Sequence, residues 1–193
     1  WQGGLNEALD NEVVMDGDGL PLFDWHAVRA WLAPLLPGGG AKTDADAAAA
    51  NHAWVAAERA WLQHLNVALG EPYWLLEDEQ AFVLSSLTPR MARAALAYVA
   101  QTNKRIVHVL NGLAENSHGG KDILLVFDDQ DSYYRYHALY GPAGDSSLSG
   151  GCFVDAGCGH FVTRKADDLM AIEPVIAHEL THANLAHLPL PLW

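Results

Sequence analysis

Apolar residues along this chain alternate between helical and strand spacing, and the changes of period outline its elements. Trp25–Leu36 reads as a short amphipathic helix, closed by Pro37-Gly38-Gly39-Gly40. Residues 38–50 are small and polar and read as a linker or loop. Trp54, Ala57, Trp61, Leu65 and Ala68 recur at helical spacing, which predicts a helix over His52–Leu69 with its aromatic stripe in a core. Gly70-Glu71-Pro72 stops it. Trp74–Leu76 and Ala81–Leu84 are short apolar runs of strand length. Thr88-Pro89 supplies a cap and a first-turn proline for a long helix carrying Met91, Ala95, Val99, Ile106, Leu110 and Leu113. Ile123–Phe127 is a continuous apolar run, as in a buried strand.

Past that strand, Asp131-Ser132 can cap a short helix through His137, and 141–151 is a glycine- and serine-rich loop. Cys152–Asp155 and His160–Thr163 predict two strands around Gly157 and Gly159. Ile172, Val175, Ile176, Leu180 and Leu188 outline a last helix, which Asp167 or Asp168 can cap. Pro174 is either in its first turn or at a kink. Helix, strand, short helix, strands and helix in this order predict an α+β fold, a mixed β-sheet backed by helices. The expected division is an N-terminal irregular and helical segment with linker over 1–50, and a main lobe over 51–193.

Composition narrows the class. Half of the 193 residues are hydrophobic and 18% are charged, as in a globular domain. No apolar run reaches the length of a membrane span. A net charge of −13 argues against nucleic acid as a partner, because phosphate binding needs a basic patch. The densest basic run, Arg90, Arg93, Lys104 and Arg105, lies along one predicted helix and reads as a solvated face. Cys152 and Cys158 are too few and wrongly spaced for a disulfide scaffold or a cysteine zinc site. They read as reduced, semi-buried thiols, and a cytoplasmic location is the expectation. Asp16-Gly17-Asp18-Gly19 has the look of a Ca²⁺ loop. Leu20 and Pro21 then stand where a third oxygen ligand and the turn glycine belong, so a polar turn is the better reading.

The sharpest chemical signal is His178-Glu179-Leu180-Thr181-His182. Two histidines four apart on a helix are offset by only ~40° and by ~6 Å along the axis. Two imidazoles so placed can reach one tetrahedral Zn²⁺. Glu179, beside the first of them, is placed to act as a general base on water. With ten histidines in the chain, a random ordering gives such a motif only about 0.02 times. The bland alternative is a helix whose histidines pack or cap and bind nothing.

Phe127-Asp128-Asp129, Tyr133-Tyr134-Arg135-Tyr136, Gly150-Gly151-Cys152-Phe153, Gly157-Cys158-Gly159-His160-Phe161 and His178–Pro191 together resemble the peptidase-MA-like, gluzincin group of zinc metallopeptidases. The likeness covers roughly residues 90–193. It implies a zincin-like lobe built around the H-E-x-x-H helix, with His178 and His182 as zinc ligands and Glu179 as general base and then proton donor. It also implies that His160–Thr163 is the sheet edge beside the cleft, pairing with substrate backbone by strand addition. The third ligand in such enzymes is a Glu on the next helix, often in an Asn-Glu segment soon after a tryptophan. This chain ends at Trp193 before any such Glu, and His187, ~140° round the helix from His182, points elsewhere. Leu5-Asn6-Glu7-Ala8 looks like the missing segment and makes Glu7 the candidate third ligand. A permuted order, a neighbouring chain, an accidental likeness and an absent remainder of the catalytic domain all stay open. The oxyanion-stabilising group is not identified; His160 and Tyr133 are candidates in type only, and a structural role suits each better.

The expected activity is zinc-dependent hydrolysis of a peptide or protein substrate. The rival is a catalytically inactive module that keeps the zincin fold for binding or scaffolding. A structural zinc site, the third option, calls for four protein ligands, preferably cysteines.

Overall fold

The computed structural model describes residues 13–15, 19–32, 43–111, 113, 120–140, 150–155, 157–166 and 168–185. Two compact units emerge: Trp1–Glu71 with Gly119–Lys121, and Pro72–His118 with Asp122–Trp193. The division therefore falls at Glu71 and Pro72, whereas residue 50, the boundary expected from sequence, lies inside a helix.

In the first unit, β1 (Val13–Met15) pairs antiparallel with β2 (Pro21–Phe23), Val13 opposite Phe23. Both strands thus lie within the N-terminal segment expected to be irregular and helical. Helix α1 spans Trp25–Leu32, and the last turn expected for it lies outside the described residues. Helix α2 spans Asp44–Leu69 and absorbs half of the expected linker. Thr43 and Asp46 form a reciprocal capping box, and alanine, which fills 47–50, has the highest helix propensity. Such a cap contributes about 1 kcal/mol. Trp54, Ala57, Trp61 and Leu65 are buried as the stripe requires. Trp25 packs on both tryptophans, with ring centroids 5.4 and 5.6 Å away.

The second unit is built on a five-stranded mixed sheet. Its strands are β3 (Trp74–Glu77), β4 (Ala81–Ser85), β5 (Asp122–Phe127), β6 (Gly151–Asp155) and β7 (Gly159–Arg164). Their order across the sheet is β3-β4-β5-β7-β6. The inner strands β4, β5 and β7 are parallel, and β3 and β6 run antiparallel at the two sides. Asp78 turns β3 into β4 by accepting the backbone N–H groups of Gln80 and Ala81.

Helix α3 (Pro89–Leu110) starts at the predicted Thr88 cap, with Pro89 in its first turn. It packs with α5 (Leu169–Leu185) over one face of the sheet. Ala81, Val83, Leu124, Val126 and Phe161 meet Ala92, Ala95, Val99, Ile176 and Leu180 in that core. Arg90, Arg93, Lys104 and Arg105 are exposed, as a solvated face requires. Helix α4 (Gln130–Tyr140) carries Tyr133 and Tyr136 into contact with groups of the alternate strand positions. Its cap is Asp129, whose Oδ1 accepts Ser132 N–H; the sequence suggested Asp131, one half-turn later. The class is α+β, with a mixed five-stranded sheet and helices. No described helix is long and apolar enough to cross a membrane.

Candidate functional site

Helix α5 carries the H-E-x-x-H residues, and its burial pattern decides how they are presented. Asp168 opens it, with Oδ1 accepting Met170 N–H and the carbonyl accepting Ala171 N–H. Pro174 sits inside the helix, in its second turn, where it withdraws the donor that the Met170 carbonyl would otherwise receive. Ile172, Ile176 and Leu180 are 4%, 1% and 0% exposed and fix one face against the sheet. A four-residue step turns a helix by only ~40°, so these three form one buried stripe. His178 is exposed and His182 half-buried, on the opposite flank from Leu180.

The two imidazoles converge. His178 Nε2 and His182 Nε2 stand 2.9 Å apart, with ring centroids at 4.5 Å and planes at 76°. Two neutral imidazoles at this separation share one Nε2–H, or both lone pairs face a common cation. Two histidine nitrogens on a tetrahedral zinc ion are roughly 3.3 Å apart, given Zn–N bonds of about 2.0–2.1 Å. The pair is therefore close to the geometry such an ion imposes, and the donors are of the type it prefers.

Glu179 turns the other way from its neighbours and meets strand β6. Its Oε2 accepts the backbone N–H of Phe153 at 3.0 Å. Burial pushes its carboxyl above the ordinary value, opposed by His178, His182 and the Phe153 N–H. Thr181 bonds back to the Ala177 carbonyl at 2.8 Å and so stays with its own helix.

The sheet edge is not where the resemblance placed it. His160–Thr163 belongs to β7, which lies between β5 and β6, with Phe161 opposite Phe153 and Val162 opposite Cys152. The outermost strand next to α5 is β6. The chain passes the edge first and folds back into the parallel set, so the later of the two strands is covered.

His160 and Tyr133 are both buried, 1% and 2% exposed, and neither stands at the histidine pair. His160 bonds Tyr136 Oη through Nε2 at 2.7 Å and the Cys158 carbonyl through Nδ1 at 2.7 Å. A carbonyl only accepts, so Nδ1 carries the proton and Nε2 accepts the phenol O–H. Burial lowers the His160 pKa to about 4. Tyr133 Oη lies 3.6 Å from Cys152 Sγ. Cys152 is half-buried and Cys158 buried, both as free thiols.

Sequence reasoning missed three participants. One is the Phe153 amide, which has no side-chain signature. Another is Gly151, where an added Cβ would meet Val175 Cγ1 at 2.7 Å and the Val162 carbonyl at 2.8 Å. The Gly150-Gly151 pair before a strand was its only signal. The third is a polar chain running into α5 from below: Asn184 Nδ2 donates to Asn103 Oδ1, and Asn103 Nδ2 to Asp122 Oδ2, each at 2.9 Å. Its signal was an asparagine four residues after buried Leu180, on the apolar side of the helix.

Glu7 and His187 lie outside the described residues. Among the described residues, no group of three or more His, Cys, Asp or Glu side chains is placed to hold a metal ion. No family model and no curated protein matches the chain.

Proposed function

We propose that the chain is a zinc-dependent peptidase of the gluzincin type, with a zincin-like lobe in the unit that carries α5. The observation that supports this best is the convergence of His178 Nε2 and His182 Nε2 at 2.9 Å, one residue away from a half-buried carboxylate. His178 and His182 would hold the metal, with Glu7 the candidate third ligand from the sequence. Zinc, when bound, supplies Lewis acidity to a peptide carbonyl and to water.

The remaining work falls to the chain's own groups. Glu179 accepts a proton from water and returns it to the departing amine nitrogen. Burial raises the pKa of that carboxyl above its ordinary value, against the pull of His178, His182 and the Phe153 N–H. Strand β6, last in the sheet and next to α5, would take an extended peptide as an added strand through outward backbone groups other than the Phe153 N–H, which Glu179 holds. Alternate residues of that peptide then point to opposite sides, which fixes its register relative to Glu179.

Glu179→Gln separates this reading from the inactive scaffold. The amide keeps the shape and loses the basicity. Peptide turnover on a broad library should fall by at least ~10²-fold while zinc content stays at the wild-type level. Wild-type protein that binds zinc but cleaves no better than the glutamine variant would favour the scaffold.

A further inference from the structure

The H-E-x-x-H helix and the edge strand run in step. Val175 faces Gly151, where a Cβ would come within 2.7 Å of Val175 Cγ1. Four residues further along α5, Glu179 faces Phe153, two residues further along β6. Four helical residues advance ~6 Å and two strand residues ~6.7 Å, so the two elements hold register over this stretch. Residues four apart share a helix flank, so seating Val175 also seats Glu179.

We propose that the backbone N–H of Phe153 is the positioning group for the Glu179 carboxylate, and that Gly151 is the residue that brings it within reach. This rests on the reading of Glu179 as general base.

Glycine at 151 is required by space. A Cβ there would collide with the Val162 carbonyl at 2.8 Å and crowd Thr163 Cβ at 3.2 Å as well as Val175. The Val162 carbonyl is backbone of β7, so a larger residue strains the pairing of β6 with β7, and it also pushes Val175, and α5 with it, away from β6. At Phe153 the antiparallel alternation settles the direction of the N–H. Phe153 donates to Glu179, away from its partner Phe161, so its neighbours Cys152 and Val154 are the residues that bond β7. The amide is thus spent on the carboxylate and contributes little to holding the sheet together.

A carboxylate bonded to a fixed backbone donor has one oxygen anchored. The other oxygen is then aimed, and the side chain gives up rotamer freedom before the reaction begins. Proline is tolerated on an edge strand where the N–H faces away from the ladder. Phe153→Pro therefore removes the donor, and Phe153→Ala controls for the lost ring, which packs 5.3 Å from Phe161.

The test has one arm that needs no activity. Amide hydrogen exchange, residue by residue, is measured on the full chain as wild type, Glu179→Ala and Gly151→Ala. The Phe153 amide should exchange at least ~10-fold faster in both variants, with Cys152 and Val154 within about twofold of wild type in Glu179→Ala and Val154 within about twofold in Gly151→Ala. An unchanged Phe153 rate in Glu179→Ala overturns the positioning bond, and an unchanged rate in Gly151→Ala overturns the part given to the glycine. In the second arm, Phe153→Pro should turn over a mixed peptide library with kcat at least ~10-fold below Phe153→Ala and KM within about threefold. Equal kcat values overturn the catalytic consequence. A wild type with no turnover overturns the peptidase reading instead, while the exchange arm still decides whether Phe153 holds Glu179.

Discussion

Asn103 donates its Nδ2 to Asp122 Oδ2 over 2.9 Å, tying the middle of α3 to the first residue of β5. Asn184, two residues beyond His182, donates in turn to Asn103 Oδ1 and to the Leu180 carbonyl. The helix with the two histidines is therefore pinned by amides as well as by its apolar stripe. Burial raises the Asp122 pKa to about 6, with the Asn103 bond opposing and Asp78 adding to the rise. A carboxyl so placed costs stability when ionised.

Asp122→Asn keeps an oxygen for Asn103 and removes the charge. The folded pKa of about 6 lies above the unfolded 3.8, so the cost is fully present above pH 6 and disappears as pH falls through 6 towards 3.8. The variant should be more stable than wild type at pH 8, by up to about 3 kcal/mol, and the gain should vanish by about pH 4. Urea melts at the two pH values measure it. A gain of equal size at both would show that Asp122 has the same pKa folded and unfolded, so that burial does not raise it.

His160 works with the opposite sign. Its folded pKa of about 4 lies below the 6.5 of the free side chain, because burial disfavours the imidazolium. The unfolded chain takes the proton first, so stability is lost as pH falls from 6.5 to 4. His160→Gln lacks this loss. The stability gap between wild type and variant at pH 7.5 should shrink by up to about 3 kcal/mol at pH 4. A gap that stays constant would place His160 in contact with water.

Local rules made most of the fold legible. Thr88-Pro89 marked the start of α3, and the unbroken run Ile123–Phe127 marked the central strand, because cap chemistry and apolar runs act within a few residues. The start of α2 was missed for a local reason as well: small residues after a glycine run read as a linker, although Thr43 and Asp46 cap each other and alanine carries the helix on. Strand order is different in kind. Nothing within His160–Thr163 says that Gly151–Asp155 pairs outside it, since both strands are short and apolar. At the site, spacing alone placed His178 and His182 side by side. The hold on Glu179 was invisible, because a backbone amide 26 residues away leaves no mark on composition.

The central claim is that His178 and His182 are two ligands of one zinc ion. Equilibrium dialysis of the full chain against zinc, read by atomic absorption, tests it most directly. Wild type should hold about one zinc per chain, and His178→Ala and His182→Ala should each hold essentially none, because a catalytic zinc site relies on three protein ligands. Wild-type zinc content in His182→Ala would contradict the account.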